Sequence, residues 1–362
     1  MSTITLDDMR SSLLPLDEVR ERLATTEPLE RFDVNDGASI SFELTPGWFE
    51  GDTRNDTETG AAVMSINHVE RPMTQEALLM ATGNVGLPAA YVRKTPAPLI
   101  EAHLNHWYSS GNMPKAYSAL AVGGTVSAFT RPTVVPFSNI ELLDSAVAGI
   151  KKTYGDDAEI LADYKMHHSL ARTDVRLVIP ASERTIIDGG MSDVPAGEAD
   201  LWSAGIHLTN SLTGKKQTEI EAYMFRWWCT NGCITHLNDV GTWSRRSNGQ
   251  DADVYVWAQE AVDEVLGGME GRFEAVQALT SLDVTGNAAS VIREIFSEYD
   301  VPVSQRQSIM DLLLDSENLT MYTVMNAITQ TANSVDSLRA DRLMRIGGEV
   351  PTSTFDTLKA RI

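Results

Sequence analysis

Cysteine is nearly absent from this chain, with two thiols in 362 residues. That is too few for a disulfide framework, and a reducing, cytoplasmic compartment is expected. No apolar run reaches the roughly 18 residues of a membrane-spanning helix. The segment 1–8 lacks the basic start and apolar stretch of a signal peptide, so no targeting leader is expected. Also missing are the phosphate loop Gly-x-x-x-x-Gly-Lys-Ser/Thr, a Gly-x-Gly-x-x-Gly turn after a strand, His-Glu-x-x-His and Gly-x-Ser-x-Gly. Nucleotide hydrolysis, dehydrogenation and the common hydrolase chemistries lose their signatures with them. No cofactor and no catalytic residue is assigned. What is present is 43% hydrophobic residues, enough for a sizeable core and too many for a disordered chain.

Basic charge is scarce as well. Twenty-nine Lys and Arg stand against 50 Asp and Glu, a net charge of −21. A phosphate backbone must be met by positive charge, so the total argues against a nucleic-acid partner. The distribution reopens that question. Residues 1–70 carry 15 acids and 5 bases, and residues 251–362 carry 18 and 8. Residues 71–250 carry 17 acids and 16 bases, so the centre is free to present a local basic surface. The acidic flanks keep the protein dispersed, or they imitate DNA toward a protein partner.

Periodicity predicts an α+β fold: a central antiparallel sheet with packed helices, followed by an acidic helical C-terminal part. Residues 38–44 alternate apolar and polar as a half-buried strand does, and 61–66 form a second extended run. Thr74 is placed to cap a helix ending at Gly83, and another helix is expected around 97–108. Ser138 and Glu141 make a capping box opening a helix that stops before Gly155. Extended segments follow at 158–165, 168–179, 201–209 and 217–226, the last two joined by a Gly214 turn as an antiparallel hairpin. Helices are expected after 253, at 272–281, 286–299, 304–316 and 320–332. The resulting division is 1–70, an acidic mixed region; 71–275, an α+β core; and 276–362, a helical region.

Cations and aromatics cluster in the centre. Lys215 and Lys216 occupy the hairpin tip, and Arg172 and Arg176 share one strand face opposite Val175, Leu177 and Ile179. Arg245 and Arg246 follow Trp243, and five of the seven Trp lie between 202 and 257. Cations on a phosphate backbone beside rings that stack bases are the physics of single-strand binding. These seven residues, with Trp243 as stacking platform, are the candidate nucleic-acid contacts. The plainer reading makes the Trp core and the Lys solvated turn residues. Trp202 falls on the apolar face of its strand, which favours core for that ring.

Metal signals are weaker. Cys229, Cys233 and His236 offer three ligands where zinc wants four, with His207 on the preceding strand as a distant fourth. The spacing is Cys-x-x-x-Cys with no second Cys pair, the plainer reading makes both Cys small buried hydrophobes, and no metal is assigned. His103 and His106 lie one helical turn apart without a carboxylate on the same face, and His167 and His168 point to opposite faces of a strand. Asp251 and Asp253 read as helix-capping residues.

Around Asn210 (202–211) and in the run Arg226, Cys229, Thr230, Asn231, Gly232, the sequence resembles the phage/plasmid-like protein family known as domain-of-unknown-function 932. The segment 320–329, with Asn326, and the run 131–139 extend the likeness over about 75–355. Cys233 replaces the Met expected after Asn231 and Gly232, which suits a buried apolar site. The resemblance implies a virus- or plasmid-encoded cytoplasmic protein of unassigned activity, with anti-restriction proposed for the family. The predicted β-β-β-α order is also similar to the core of phage single-strand annealing proteins, which assemble as rings or filaments. Asn231 and Gly232 tolerate positive φ and are expected to end the strand and turn the chain toward a helix. Arg226 beside them can meet a carboxylate or a phosphate.

The leading expectation is therefore a phage- or plasmid-type DNA-transaction protein that binds single-stranded DNA, annealing-like, as a homo-oligomer off the membrane. The alternative is a non-enzymatic assembly or host-inhibiting protein whose partner is a host or phage protein.

Overall fold

A computed structural model describes residues 6–27, 29–34, 40–45, 59–109, 116–134, 136–163, 166–187, 194, 198–228, 231–235, 242–245, 254–284, 288–314 and 319–359. The chain opens with α1 (Leu6–Ser11), β1 (Leu14–Pro15) and α2 (Leu16–Ala24). A first sheet then forms from β2 (Leu29–Val34), β3 (Ile40–Leu44), β4 (Thr59–Ile66), β5 (Val69–Thr74), β6 (Tyr117–Val122) and β7 (Thr125–Thr130). Its order is β2-β6-β7-β5-β4-β3, antiparallel except where β5 meets β7. In β3 alternate residues are buried, as the period-two pattern requires. The β6–β7 hairpin turns on Gly123 and Gly124, both with positive φ, which a two-residue hairpin loop demands.

Between β5 and β6 the described residues form α3 (Gln75–Asn84), α4 (Ala89–Val92) and α5 (Ala97–Ser109). Thr74 Oγ1 accepts the Ala77 N–H at 3.1 Å, the cap expected there. Glu101 accepts from the Leu44 N–H, and Asn105 brackets Phe42 through its N–H and its carbonyl, so one face of α5 is fastened to β3. His103 accepts from Trp107, a local helix contact.

The second sheet is built of β8 (Leu161–Ala162), β9 (His167–His168), β10 (Thr173–Val178), β11 (Arg184–Ile187), β12 (Asp200–Asn210), β13 (Thr218–Arg226), β14 (Asn231–Thr235) and β15 (Thr242–Arg245). The main path is β1-β8-β10-β12-β13-β14, with β9, β11 and β15 pairing to β10, β12 and β13. Helix α6 (Asn139–Tyr154) precedes it, its Ser138 Oγ accepting the Glu141 N–H at 3.2 Å. Among the described residues the helices that follow are α7 (Val254–Gly267), α8 (Met269–Leu279), α9 (Ala288–Glu298), α10 (Val303–Leu314), α11 (Met321–Thr331) and α12 (Ser337–Lys359).

Strands β10, β12 and β13 are buried on both faces, and the two faces differ in chemistry. Register places Val175, Leu208 and Ile220 on one side, with Leu177, Ile206 and Ala222 beside them. This apolar face meets Leu142 and Leu143 of α6 and Leu23 of α2. The other side carries Arg172, Asp174, Arg176, His207 and Glu221, and α12 covers it. Each large side chain removed from water here, such as Trp202, Phe225 and Trp227, contributes about 1.5–3 kcal/mol.

The fold is α+β, an arrangement of mostly antiparallel sheets with packed helices. The hydrophobic clusters divide the chain differently from the expected boundaries. One joins residues from Val34 to Phe129, and the other joins the N-terminal helix α2 to everything from α6 to α12. Residue 70 falls inside β5, and residue 275 falls inside α8. Of the extended run expected at 158–165, the described residues 158–163 form only β8, and the region expected to be helical carries α12, a long helix beyond the last one placed individually, 320–332.

Candidate functional site

The hairpin tip behaves as the sequence suggested. Strands β12 and β13 pair antiparallel, and the turn between them carries Lys215 and Lys216 into solvent. Gly214 sits at φ +67, and a Cβ there would lie 2.7 Å from Val134. Ser211 Oγ accepts the Lys215 N–H, and Thr213 accepts at its carbonyl from Thr130 of β7. The tip of the second sheet is thereby held against the end of the first.

Between them lies an open cleft of about 600 Å³. Tyr117, Phe129, Thr130 and Arg131 line it from the first sheet, and Thr213, Lys215, Lys216 and Gln217 from the hairpin. Arg31 braces its floor by donating to the carbonyls of Pro132 and Val134. Arg131, which sequence reasoning did not select for binding, joins the two lysines in presenting an exposed cation. Lys215 is partly neutralised by Glu76, 3.4 Å away. Asn210 is buried and held from both ends of its amide, which donates to the Phe137 carbonyl and to Asn139 and accepts from Thr218. It ties the hairpin base to the start of α6.

Arg172 and Arg176 are not phosphate contacts. Arg176 is 1% exposed and faces Asp163 at 3.5 Å and Asp341 at 3.7 Å. Arg172 binds Asp174 with two nitrogens and reaches Asp341 at 2.9 Å. Their strand face reads as solvated because it is polar, but α12 lies over it and supplies Asp341 and Arg345. Arg345 grips both oxygens of Glu221. His207 completes the cluster, with Nδ1 at 3.0 Å from Glu221 and Nε2 at 3.4 Å from Asp174.

Burial pushes the Asp174 and Glu221 carboxyls up, but the His207 and arginine groups bound to each outweigh it and hold both well below the usual range. Burial alone would lower the His207 pKa, and the carboxylates around it raise it instead. Asp174, His207 and Asp341 are the one grouping with metal-ligand spacing among the described residues, their ligand atoms within 4.8 Å of one another.

A second buried network holds Arg226, which meets a carboxylate. Its Nε donates to Asp200 at 2.8 Å, with neither side chain exposed. Tyr322 of α11 donates to the same carboxylate and accepts from Trp202 Nε1 at 2.8 Å. Asn326 is buried one turn further along α11. Asn231 and Gly232 do not turn the chain toward a helix: they begin β14, paired to Arg226 and Phe225 of β13. Gly232 is required by proximity rather than by φ, since a Cβ would lie 2.4 Å from the Tyr223 ring.

Cys233 lies buried on β14, and burial pushes its thiol up to about 12. Cys229, His236 and Arg246 lie outside the described residues, as do Asp251 and Asp253. Trp243 packs 6.5 Å from Trp257, and Arg245 lies over that second ring. Both are partly buried against the core rather than lining the cleft. No helix among the described residues is long and apolar enough to cross a membrane.

No family model, curated protein or solved structure matches this chain.

Proposed function

We propose that the chain binds single-stranded nucleic acid in the cleft between the hairpin tip and the β6–β7 edge. The observation that carries this reading is the convergence of Arg131, Lys215 and Lys216 on one open cleft in a chain of net charge −21. Cations brought from two sheets to one groove suit a phosphate backbone. The Thr133 hydroxyl and the half-buried Tyr117 ring add a polar anchor and a stacking face. The resemblance to the phage/plasmid-like family fits a DNA-transaction role. Binding is the activity proposed.

Reversing both lysines (K215E together with K216E) is expected to weaken single-stranded DNA binding by about tenfold or more at low salt, and to reduce the slope of log K against log salt by about 1.4. Fluorescence-anisotropy titration at two salt concentrations, with duplex DNA as control, reads both. Unchanged affinity would remove the cleft from the reading. Absence of any binding by the unmodified protein at low salt would instead favour a protein partner for the acidic flanks.

A further inference from the structure

A neutral imidazole donates a proton from one ring nitrogen and presents a lone pair at the other. His207 does not have surroundings suited to that form. Its Nδ1 faces Glu221 Oε2 at 3.0 Å, and its Nε2 faces Asp174 Oδ1 at 3.4 Å and Asp341 Oδ1 at 3.7 Å. A neutral ring would set a lone pair against carboxylate oxygens on one side, in a position with no exposure to water.

Among the described residues the cluster gathers the carboxylates of Asp163, Asp174, Glu221 and Asp341 and the guanidinium groups of Arg172, Arg176 and Arg345. Glu219, half-buried on β13, adds to the negative field at Glu221, and Lys216 and Arg345 offset it. A proton on each ring nitrogen lets His207 face these carboxylate oxygens as a donor on both sides.

We infer that His207 is the fourth cation of this cluster, an imidazolium that clasps helix α12 to the sheet and loosens that clasp when it loses its proton. The carboxylates it joins come from three separate elements: Asp174 from β10, Glu221 from β13 and Asp341 from α12. Removing the proton strands a charge at the junction of all three. The sign follows from linkage. A histidine titrating above its ordinary value contributes its full stabilisation below about pH 6.5, and that contribution is lost as pH rises through the folded-state value. The docking of α12 is therefore expected to weaken as pH rises through the His207 titration, and separately at low pH where Asp174 and Glu221 take up protons.

The test is NMR titration of the seven histidines in protein labelled with ¹³C and ¹⁵N at His, with the His207 signals assigned by their loss in His207→Gln. The expected result is an imidazolium with protons on both nitrogens at pH 7, titrating above the ordinary histidine range. Hydrogen exchange in α12 should rise beyond its intrinsic pH dependence over the same interval. In Asp341→Asn one carboxylate is gone, and the His207 titration should move down by about one unit or more. A neutral His207 at pH 7 would overturn the inference. So would a stoichiometric divalent ion in protein purified without chelator and absent from His207→Gln. A His207 titration unmoved in folded Asp341→Asn would also overturn it. If that variant fails to fold, the titration of the unmodified protein decides alone.

Discussion

Replacing Arg226 with Met is expected to cost about 3–5 kcal/mol of folding stability, the range for removing one partner of a buried ion pair. The magnitude follows from where the pair sits. Neither Arg226 nor Asp200 has any exposed side chain, so the carboxylate left behind cannot recover water. Tyr322 still donates to it, but one neutral hydroxyl does not replace a guanidinium at 2.8 Å. The disturbance would spread, because Tyr322 also accepts from Trp202 and links α11 to the start of β12. Combining Arg226→Met with Asp200→Asn removes the stranded charge and should restore part of the loss. Urea unfolding followed by far-UV circular dichroism and Trp fluorescence measures both variants. A loss below about 1 kcal/mol for Arg226→Met would show that the pair is solvated in solution, contrary to its burial here.

The same pair shows what a sequence reader can and cannot see. Arg226 lies two positions past Met224 on a strand of clear alternation, so its strand and face were legible. Its partner was not, because Asp200 begins the neighbouring strand and Tyr322 comes from a helix about a hundred residues later. The hairpin β12–β13 was legible as a whole: both strands alternate at period two, and a Gly-containing polar turn joins them. Alternation tells which residues share a face but not whether that face is covered. Arg172 and Arg176 therefore read as a basic strand face open to a phosphate until α12 is seen lying over them.

Helix α12 itself was hidden by local chemistry. Ala340, Leu343, Met344 and Val350 have helical spacing and are buried, and Asp341 and Arg345 pair at i, i+4. But Gly347, Gly348 and Pro351 interrupt the pattern with residues that helices disfavour. Gly347 is there for packing, since a Cβ would lie 2.2 Å from the Thr329 methyl of α11. The cleft was half legible for a related reason. Lys215 and Lys216 announce themselves as a turn, but Arg131 comes from the other sheet, and no spacing in the sequence links the two.

The largest effect of a single added methyl is expected at Gly205. This residue sits mid-strand in β12 between Val178 of β10 and Tyr223 of β13. A Cβ built there would lie 2.0 Å from the Leu177 carbonyl oxygen and 3.0 Å from the Tyr223 ring. The ring has some freedom to move, but the carbonyl belongs to the backbone of a strand buried on both faces. Relief therefore requires β10 and β12 to separate, which would disturb the ladder that positions both the hairpin tip and the His207 cluster. Gly205→Ala should cost about 3 kcal/mol or more, the upper part of the range for overpacked cores. The control is Gly271→Ala in α8, where nothing lies within 4 Å of the added carbon and the helix should gain about 0.5–1 kcal/mol. Denaturation midpoints of the two variants should move in opposite directions. A Gly205→Ala midpoint equal to that of the unmodified protein would mean that β12 does not approach β10 this closely. The register that places Lys215 and Lys216 at the cleft would then need to be redrawn.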